Sequence, residues 1–321
     1  MKFSLIICGY NEQENLDSCI ESCLVQDYPK DQYEIVYVDN DSTDNSLKVA
    51  SKYPIKVLTE KRRGLSEARN CGIINSSGAI LVFLDVDLKL DKDYLKYHEE
   101  TFRNPNVGAG GGMVMPMIKT WVSDYLGVSL FEGYPRYLKT RKVQTYPGCN
   151  LTIRRAVLEE SGYFLEKFEN GSIEIPRSED KEICQRVRKV GYLIQYNPQA
   201  KLLHKNRSEF GELFRVWIKG ARSRNFLIKN NKKDPFSLLF KYNIPLIGLA
   251  FLLVSIFIAP FISNVLLISY IVAVFGLSAK SFIETGMFFE SFLVKPWMDT
   301  LSLVTINTAM ISYRYFQNEH E

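Results

Sequence analysis

The chain has 321 residues, 46% of them hydrophobic, with 40 Lys and Arg against 36 Asp and Glu for a net charge of +4. Such a composition excludes a disordered chain, and the absence of a membrane-length apolar run in residues 1–200 excludes a polytopic transporter. The charge is segregated: residues 201–241 carry eleven Lys or Arg and three acids, and the 38 residues of 242–279 carry no charged group, which argues against a fully soluble monomer.

Phe3-Leu5-Ile6-Ile7-Cys8 is an apolar run of the kind a buried parallel strand shows, broken at Gly9-Tyr10-Asn11. It is too short for a signal peptide and lacks a small-residue cleavage pattern. Leu16, Cys19, Ile20, Cys23 and Leu24 recur at helical spacing up to Tyr28-Pro29. A second strand over residues 33–38 runs into Asp39-Asn40-Asp41-Ser42-Thr43-Asp44, where Ser42 or Thr43 is placed to cap a helix carrying Leu47 and Ala50. A third strand covers residues 55–58, a third helix residues 65–75 past Gly64, and a fourth strand residues 79–84, ending at Asp85-Val86-Asp87. Strands alternating with helices predict a parallel α/β sheet, which binds ligands at the carboxyl ends of its strands. Asp39, Asp85 and Asp87 fall at those ends.

The alternation weakens after residue 105. The glycine-rich stretch Val107 to Met113 suggests close packing or a ligand wall. Residues 120–147, with Tyr134, Arg136, Tyr137, Lys139, Arg141, Lys142 and Tyr146, read as an acceptor region or an ordinary solvated excursion. Glu179-Asp180 opens a helix bearing Ile183, Cys184, Val187 and Val190 that stops at Gly191; acids there also favour the helix by themselves. The six cysteines have spacings that suit neither a disulfide framework nor a zinc site, so reduced thiols are expected.

Phe210, Leu213, Phe214, Trp217 and Ala221 at helical spacing, with Arg215, Lys219, Arg222 and Arg224, predict an amphipathic helix over about 208–230 on an anionic membrane surface. Nothing resembles a base-reading module, so nucleic acid is not an expected partner. The uncharged run, with Pro260 and Ser263-Asn264 near its middle, predicts a helical hairpin over about 243–282. Lys229, Lys232, Lys233 and Lys241 before it place the preceding domain on the cytoplasmic side of a cell membrane. Residues 297–315 add a third membrane or re-entrant helix, with Asp299 costly at depth.

Taken in order, Gly9-Tyr10-Asn11-Glu12, Val38 to Asp44, Gly64-Leu65-Ser66-Glu67-Ala68-Arg69-Asn70, Leu84 to Asp87, Gly148-Cys149-Asn150-Leu151, Glu179-Asp180 and His204 resemble the motif set of the family 2 glycosyltransferases. The resemblance covers about residues 3–230. It implies a GT-A fold, a Rossmann-like mixed sheet flanked by helices, for residues 1–230, with residues 231–321 as a small α-helical membrane region. It further implies a nucleotide-sugar donor bound by Asp39, Asp41, Asn11 and Asp85, and a divalent cation, Mn²⁺ or Mg²⁺, held by Asp87, Asp85 and His204. For His204 a structural hydrogen-bonding role is the alternative. Arg69, and less directly Arg63, would support the donor phosphates; for Arg69 the other reading is pairing with an aspartate. Asp180 would be the general base of an inverting displacement, with Glu179 beside it.

Asn40-Asp41-Ser42 departs from the family's commoner Asp-Gly-Ser. The Gln-x-x-Arg-Trp signature of the processive polymer synthases is missing, which favours a single transfer. The membrane hairpin suggests a polyprenyl-linked acceptor: a polyprenyl-diphosphate-linked glycan in polysaccharide or N-glycan assembly, or a polyprenyl phosphate as in the dolichyl-phosphate sugar synthases. Leu88-Lys89 after Asp87, where those synthases have Leu-Gln, favours the first. UDP-sugars are favoured over GDP-sugars, a homo-oligomer is left open, and the rival from another class is an inactive membrane-anchored scaffold on the same fold.

Overall fold

A computed structural model describes residues 1–120, 123, 139–166, 179–205, 272 and 275–276. The expected interfacial helix, nearly all of the hairpin and the stretch 297–315 lie outside the described residues, as do Tyr134, Arg136 and Tyr137. Among the described residues no helix is long and apolar enough to cross a membrane. Backbone contacts divide the chain into Met1–Ile118 with Phe131–Asn206, and Lys119–Leu130 with Arg207–Glu321. The first unit carries all the elements below.

Its strands are β1 (Phe3–Gly9), β2 (Tyr33–Asp39), β3 (Lys56–Thr59), β4 (Ile80–Asp85), β5 (Leu88–Leu90), β6 (Val107–Pro116), β7 (Arg141–Val143), β8 (Asn150–Arg154) and β9 (Leu193–His204). Its helices are α1 (Gln13–Leu24), α2 (Ser46–Ala50), α3 (Leu65–Ile74), α4 (Tyr94–Phe102), α5 (Arg155–Ser161) and α6 (Glu179–Lys189). The sheet runs β3-β2-β1-β4-β8-β6-β9-β5, with β7 paired to β9. β3, β2, β1 and β4 are parallel, β8 is antiparallel to β4 and β6, and β9 runs parallel to β6.

Successive strand residues point to opposite faces, and here both faces are covered. Phe3, Leu5, Ile7, Ile35, Tyr37, Ile80, Val82 and Leu84 pack with Leu16, Cys19, Ile20 and Cys23 of α1 and with Tyr94, Leu95 and Phe102 of α4. Ile6, Cys8, Val36, Val38, Leu81, Phe83 and Ile153 pack on the other side with Ala68 and Ile73 of α3, Val157 and Leu158 of α5, and Ile183, Cys184 and Val187 of α6. This is why β1 reads as a continuous apolar run rather than an alternating one. All six cysteines are free thiols.

Two local expectations are corrected. Ser42 and Thr43 do not cap α2, which begins at Ser46 with Asn45 at its N-cap and no side-chain cap bond. The Ser42 hydroxyl accepts from the Asn11 N–H (3.0 Å), and the Thr43 N–H donates to Asn11 Oδ1 (2.8 Å), so both residues are spent on a neighbouring loop. The glycine run forms strand β6, irregular where its register against β9 shifts between Val107 and Ala109 and between Gly112 and Met113, and it shows the expected close packing, because its missing side chains admit tertiary neighbours. A Cβ on Gly111 would lie 2.0 Å from the Tyr146 ring, and one on Gly112 1.7 Å from the Ala200 carbonyl. Tyr146 is therefore a buried wedge, 1% exposed, and not part of an acceptor surface.

One buried group sets an acid limit. His98 of α4 is fully buried, with neither ring nitrogen hydrogen-bonded among the described residues, and it packs between Tyr94 and Phe102. Burial pushes its pKa down to about 3. A folded-state value below the unfolded one, about 6.5, means the unfolded chain binds the extra proton, so stability is full above that value and falls as pH drops towards the folded value. We expect a loss of about 1.4 kcal/mol per pH unit below about 6.5 from this group. Unfolding curves of wild type and His98→Leu at pH 7, 6 and 5 check it: the slope between pH 6 and 5 should flatten in the variant.

Candidate active site

The carboxyl ends of β1, β2 and β4 lie side by side, with Gly9 opposite Asp39 and Cys8 opposite Asp85. β1 is the strand from which the order departs in both directions, the topological switch at which such sheets bind ligands. Gly9 must lack a side chain there, because a Cβ would lie 2.8 Å from Val86 Cγ2 and 3.0 Å from the Tyr37 hydroxyl.

The loops after β1 and β2 clasp each other. Besides the Asn11 bonds, Glu12 N–H donates to Ser46 Oγ (3.0 Å) and Gln13 N–H to Asp44 Oδ2 (3.1 Å). Asn11 and Asp41 both take left-handed backbone, φ 55° and 61°, a conformation Asn and Asp tolerate. That explains why glycine is the commoner residue where Asp41 stands. Asp39 is fully buried; its Oδ2 accepts the Ser42 N–H (2.9 Å) and its Oδ1 the Tyr37 hydroxyl (3.2 Å). The exposed Asp41 pairs with Arg63 (3.5 Å), whose guanidinium lies 3.7 Å over the Tyr10 ring. Asn40, to which the sequence attached no role, latches the loop after β3: its amide donates to the Glu60 and Arg62 carbonyls (2.9 and 2.8 Å) and its Oδ1 accepts the Gly64 N–H (2.8 Å). Asn11 and Asn40 thus shape the cleft by fixing backbone.

Asp85 ends β4, and Asp87 follows in the turn to β5. Because β5 pairs antiparallel with β9, Leu88 stands opposite His204, and the Lys205 N–H donates to the Asp87 carbonyl (2.8 Å). This pairing brings His204 Nε2 to 3.3 Å from Asp87 Oδ1. Burial alone would raise the Asp87 pKa, but the hydrogen bond and charge of His204 outweigh it and hold the carboxyl below its ordinary value. Asp85 is pushed up, first by burial and also by Asp87, against the lowering effect of Arg69. Asp87 and His204, beside Asp85, offer the oxygen and nitrogen donors a divalent cation takes, although Asp87 is not part of the group of close ligand atoms among the described residues. A third kind of donor stands there as well: one ligand atom each from Asp85, Cys149 and His204 lies within 4.8 Å of the others.

Arg69 of α3 ties this cluster to the next. It is 2% exposed, with Nη1 3.1 Å from Glu179 Oε1 and Nη2 3.7 Å from Asp85 Oδ1. These are the contacts of the pairing reading, in which Arg69 orients carboxylates. Gly148 makes room for it, since a Cβ there would lie 2.7 Å from Nη2. Asp180 is next to Glu179 in the first turn of α6, and its Oδ2 accepts the Gly148 N–H (3.2 Å). Burial, and then the Glu179 charge, raise the Asp180 pKa above the usual carboxylate value. Asn150 plays a different part from its neighbours: fully buried, it accepts from the Tyr94 hydroxyl at 2.5 Å and donates to the Gly112 carbonyl (2.9 Å). The structure therefore brings Asp85, Asp87, His204, Arg69, Glu179 and Asp180 into one connected group, and sets Asn11, Asp39, Asp41 and Arg63 along the adjoining strand ends.

Residues 4–162 match the family described as Glycosyl transferase family 2. A Haloferax volcanii protein named glycosyltransferase AglE is 31% identical over 221 residues, 66% of this chain and 69% of that protein. A Methanococcus voltae dolichyl N-acetyl-α-D-glucosaminyl phosphate 3-β-D-2,3-diacetamido-2,3-dideoxy-β-D-glucuronosyltransferase is 24% identical over 88% of both chains. The solved mannosyltransferase PcManGT of Pyrobaculum calidifontis, in complex with GDP-mannose and Mn²⁺, shares the fold at a TM-score of 0.58, covering 97% of this chain and 87% of that one at 19% identity. An ordered motif set folded into one cleft, and a relative above 30% identity matched over more than two-thirds of its length, establish that this chain belongs to glycosyl transferase family 2.

Proposed function

We propose that the protein transfers a single sugar, with inversion, from a nucleotide-sugar donor to a polyprenyl-linked acceptor at a membrane surface, the acceptor being a polyprenyl-linked glycan. The observation that carries the reading is the Arg69 bridge, which sets a carboxylate–imidazole cluster and a separate acidic pair at fixed positions in one cleft. Inverting displacement needs both: one carboxylate group where the diphosphate leaves, another where the acceptor hydroxyl arrives.

Asp87, Asp85 and His204 would hold Mn²⁺ or Mg²⁺, which when bound neutralises charge on the departing nucleoside diphosphate. Asp39 and Asp41 are assigned to the donor's nucleoside end, where a carboxylate can accept an imide N–H. Asp180 takes the proton of the acceptor hydroxyl as the new glycosidic bond forms. A lipid-linked acceptor is supported by the names of the Methanococcus relative and by the basic segment and uncharged run of residues 201–279. The same segment supports a membrane-anchored protein with a cytoplasmic catalytic domain. Extension of a glycan is favoured over charging of polyprenyl phosphate because the Methanococcus protein is named for transfer to an already glycosylated dolichyl phosphate.

The test is a panel of UDP- and GDP-sugars offered to the full-length protein with membrane lipid extract, products read by mass spectrometry. A sugar-extended polyprenyl lipid is expected. Transfer only to water, or only to unglycosylated polyprenyl phosphate, overturns the acceptor assignment. Cation dependence is a separate expectation. Chelator should abolish turnover, Mn²⁺ or Mg²⁺ should restore it, and Asp87→Ala should bind nucleoside diphosphate with no enhancement by the cation. Calorimetric titration of the nucleotide with and without Mn²⁺ checks this on both proteins.

A further inference from the structure

We propose that Asp85, Cys149 and His204 form a mixed oxygen, sulfur and nitrogen site that takes a borderline transition-metal ion, Zn²⁺ above all, in competition with the hard cation of the transfer reaction. The inference rests on the proposed function for what the ion competes with, but the binding itself rests on the three side chains. Their ligand atoms lie within 4.8 Å of one another. Donor atoms around a tetrahedral zinc sit about 3.5 Å apart, given Zn–N and Zn–S bonds of about 2.0 and 2.3 Å, so the three donors must draw together to bind the ion.

Three different chain elements fix the donors. Asp85 ends β4, Cys149 immediately precedes β8, and His204 ends β9. β8 is paired to β4 with Asn150 opposite Leu84, which sets Cys149 beside Asp85. Asn150 is held by Tyr94 and the Gly112 carbonyl, so the residue next to the thiol is anchored on both sides. Cys149 is 7% exposed, and Asp85 and His204 are half-buried, which leaves the cluster reachable from the cleft. Three protein ligands with a fourth position open is the arrangement of zinc sites that exchange their outer ligand.

A thiol has no business in a site built for Mg²⁺, which takes oxygen ligands and binds few soft donors. For a given set of donors, affinity rises from Mn²⁺ towards Zn²⁺, and a sulfur donor widens that gap. On binding, the Cys149 S–H bond breaks, the Sγ–metal bond forms, and the proton passes to solvent; no electron is transferred. The bound Zn²⁺ engages Asp85 and His204, two of the groups that the donor's cation would use. Zinc should therefore displace Mn²⁺ and suppress donor binding, making the cleft sensitive to the ratio of the two metals.

Co²⁺ is the probe, because a cobalt–thiolate bond gives a charge-transfer absorption in the near ultraviolet that oxygen and nitrogen ligands do not. Full-length wild-type protein titrated with Co²⁺ should show that band, saturating at one ion per chain and lost on adding Zn²⁺. Cys149→Ser should lack the band, and its Zn²⁺ affinity, measured by chelator competition, should be weaker by more than the about 10-fold that losing even a supporting partner of a metal site costs. His204→Ala, which keeps the thiol, should weaken Zn²⁺ by a similar factor and keeps the test decisive should the serine variant fold poorly. Absence of the band in wild type, or equal zinc affinity in wild type and both variants, overturns the proposal. Mn²⁺-enhanced nucleotide binding by the wild-type protein, measured in the same preparation without zinc or cobalt, tests the proposed function separately: it can succeed while the thiolate band is absent, or fail while the band is present.

Discussion

Asp180→Asn should lower kcat by at least about 10²-fold, the lower end of what a positioned general base contributes, with donor Kd nearly unchanged. A sugar hydroxyl is a poor nucleophile whose proton must leave as the bond to the anomeric carbon forms. Asp180 is raised above the ordinary carboxylate value by burial and by Glu179, which makes its ionised form a better proton acceptor than a solvated aspartate. The base works deprotonated, so turnover should fall as pH drops through that raised value, with its acid limb above the ordinary aspartate value of about 3.9. The substitution keeps the shape and an oxygen able to accept the Gly148 N–H.

Stability separates this role from a merely helical one. An acid in a first helical turn stabilises by about 0.3 to 1 kcal/mol, so a helix-favouring Asp180 would predict a lower Tm in the asparagine variant with near-normal kcat. A folded pKa raised above the unfolded one means the ionised group costs stability at neutral pH, and removing its charge should leave Tm equal or higher. Measuring kcat, donor Kd and Tm on one Asp180→Asn preparation decides between them. Normal turnover with a lower Tm ends the general-base assignment.

The sequence made the strand-end acids legible because buried parallel strands are apolar throughout, so the first charged residue after each run marks its carboxyl end. Asp39 and Asp85 mark such ends, with Asp87 just beyond, and the sheet places the first two on the strands that flank β1 on either side. Pairings set by topology were not legible. His204 reaches Asp87 only because β9 crosses to pair with β5, and no spacing along the chain encodes that. The β6 glycines were ambiguous for the same reason, since the atoms that need the space, Tyr146 and Ala200, come from distant elements. Ser42 and Thr43 carried a correct local propensity to cap, and lost it to Asn11, a partner supplied by tertiary structure. Gly148-Cys149-Asn150 was visible as a motif, but its three roles are readable only against Arg69, Asp85 and Tyr94.

Arg69→Met should be the most destabilising single substitution in the cleft. Removing one partner of a buried ion pair costs about 3–5 kcal/mol, because the remaining charge stays buried without compensation. Two carboxylates depend on this guanidinium, but unequally. The Glu179 side chain is 17% exposed at 3.1 Å, whereas Asp85 is 37% exposed at 3.7 Å, so water replaces Arg69 better at Asp85. Most of the loss should therefore come from Glu179. The double variant Arg69→Met with Glu179→Gln should recover a large part of it, because a neutral amide needs no buried counter-charge. Arg69→Lys should recover less than its charge suggests, since one ammonium cannot reproduce the forked contacts that span the two acids. A donor-phosphate role predicts a different pattern: loss of nucleotide affinity with little change in Tm, and no rescue by Glu179→Gln. Thermal unfolding and nucleotide titration of the three variants distinguish them. If Arg69→Met keeps the wild-type Tm, the guanidinium is not what holds the acidic pair against the cation cluster.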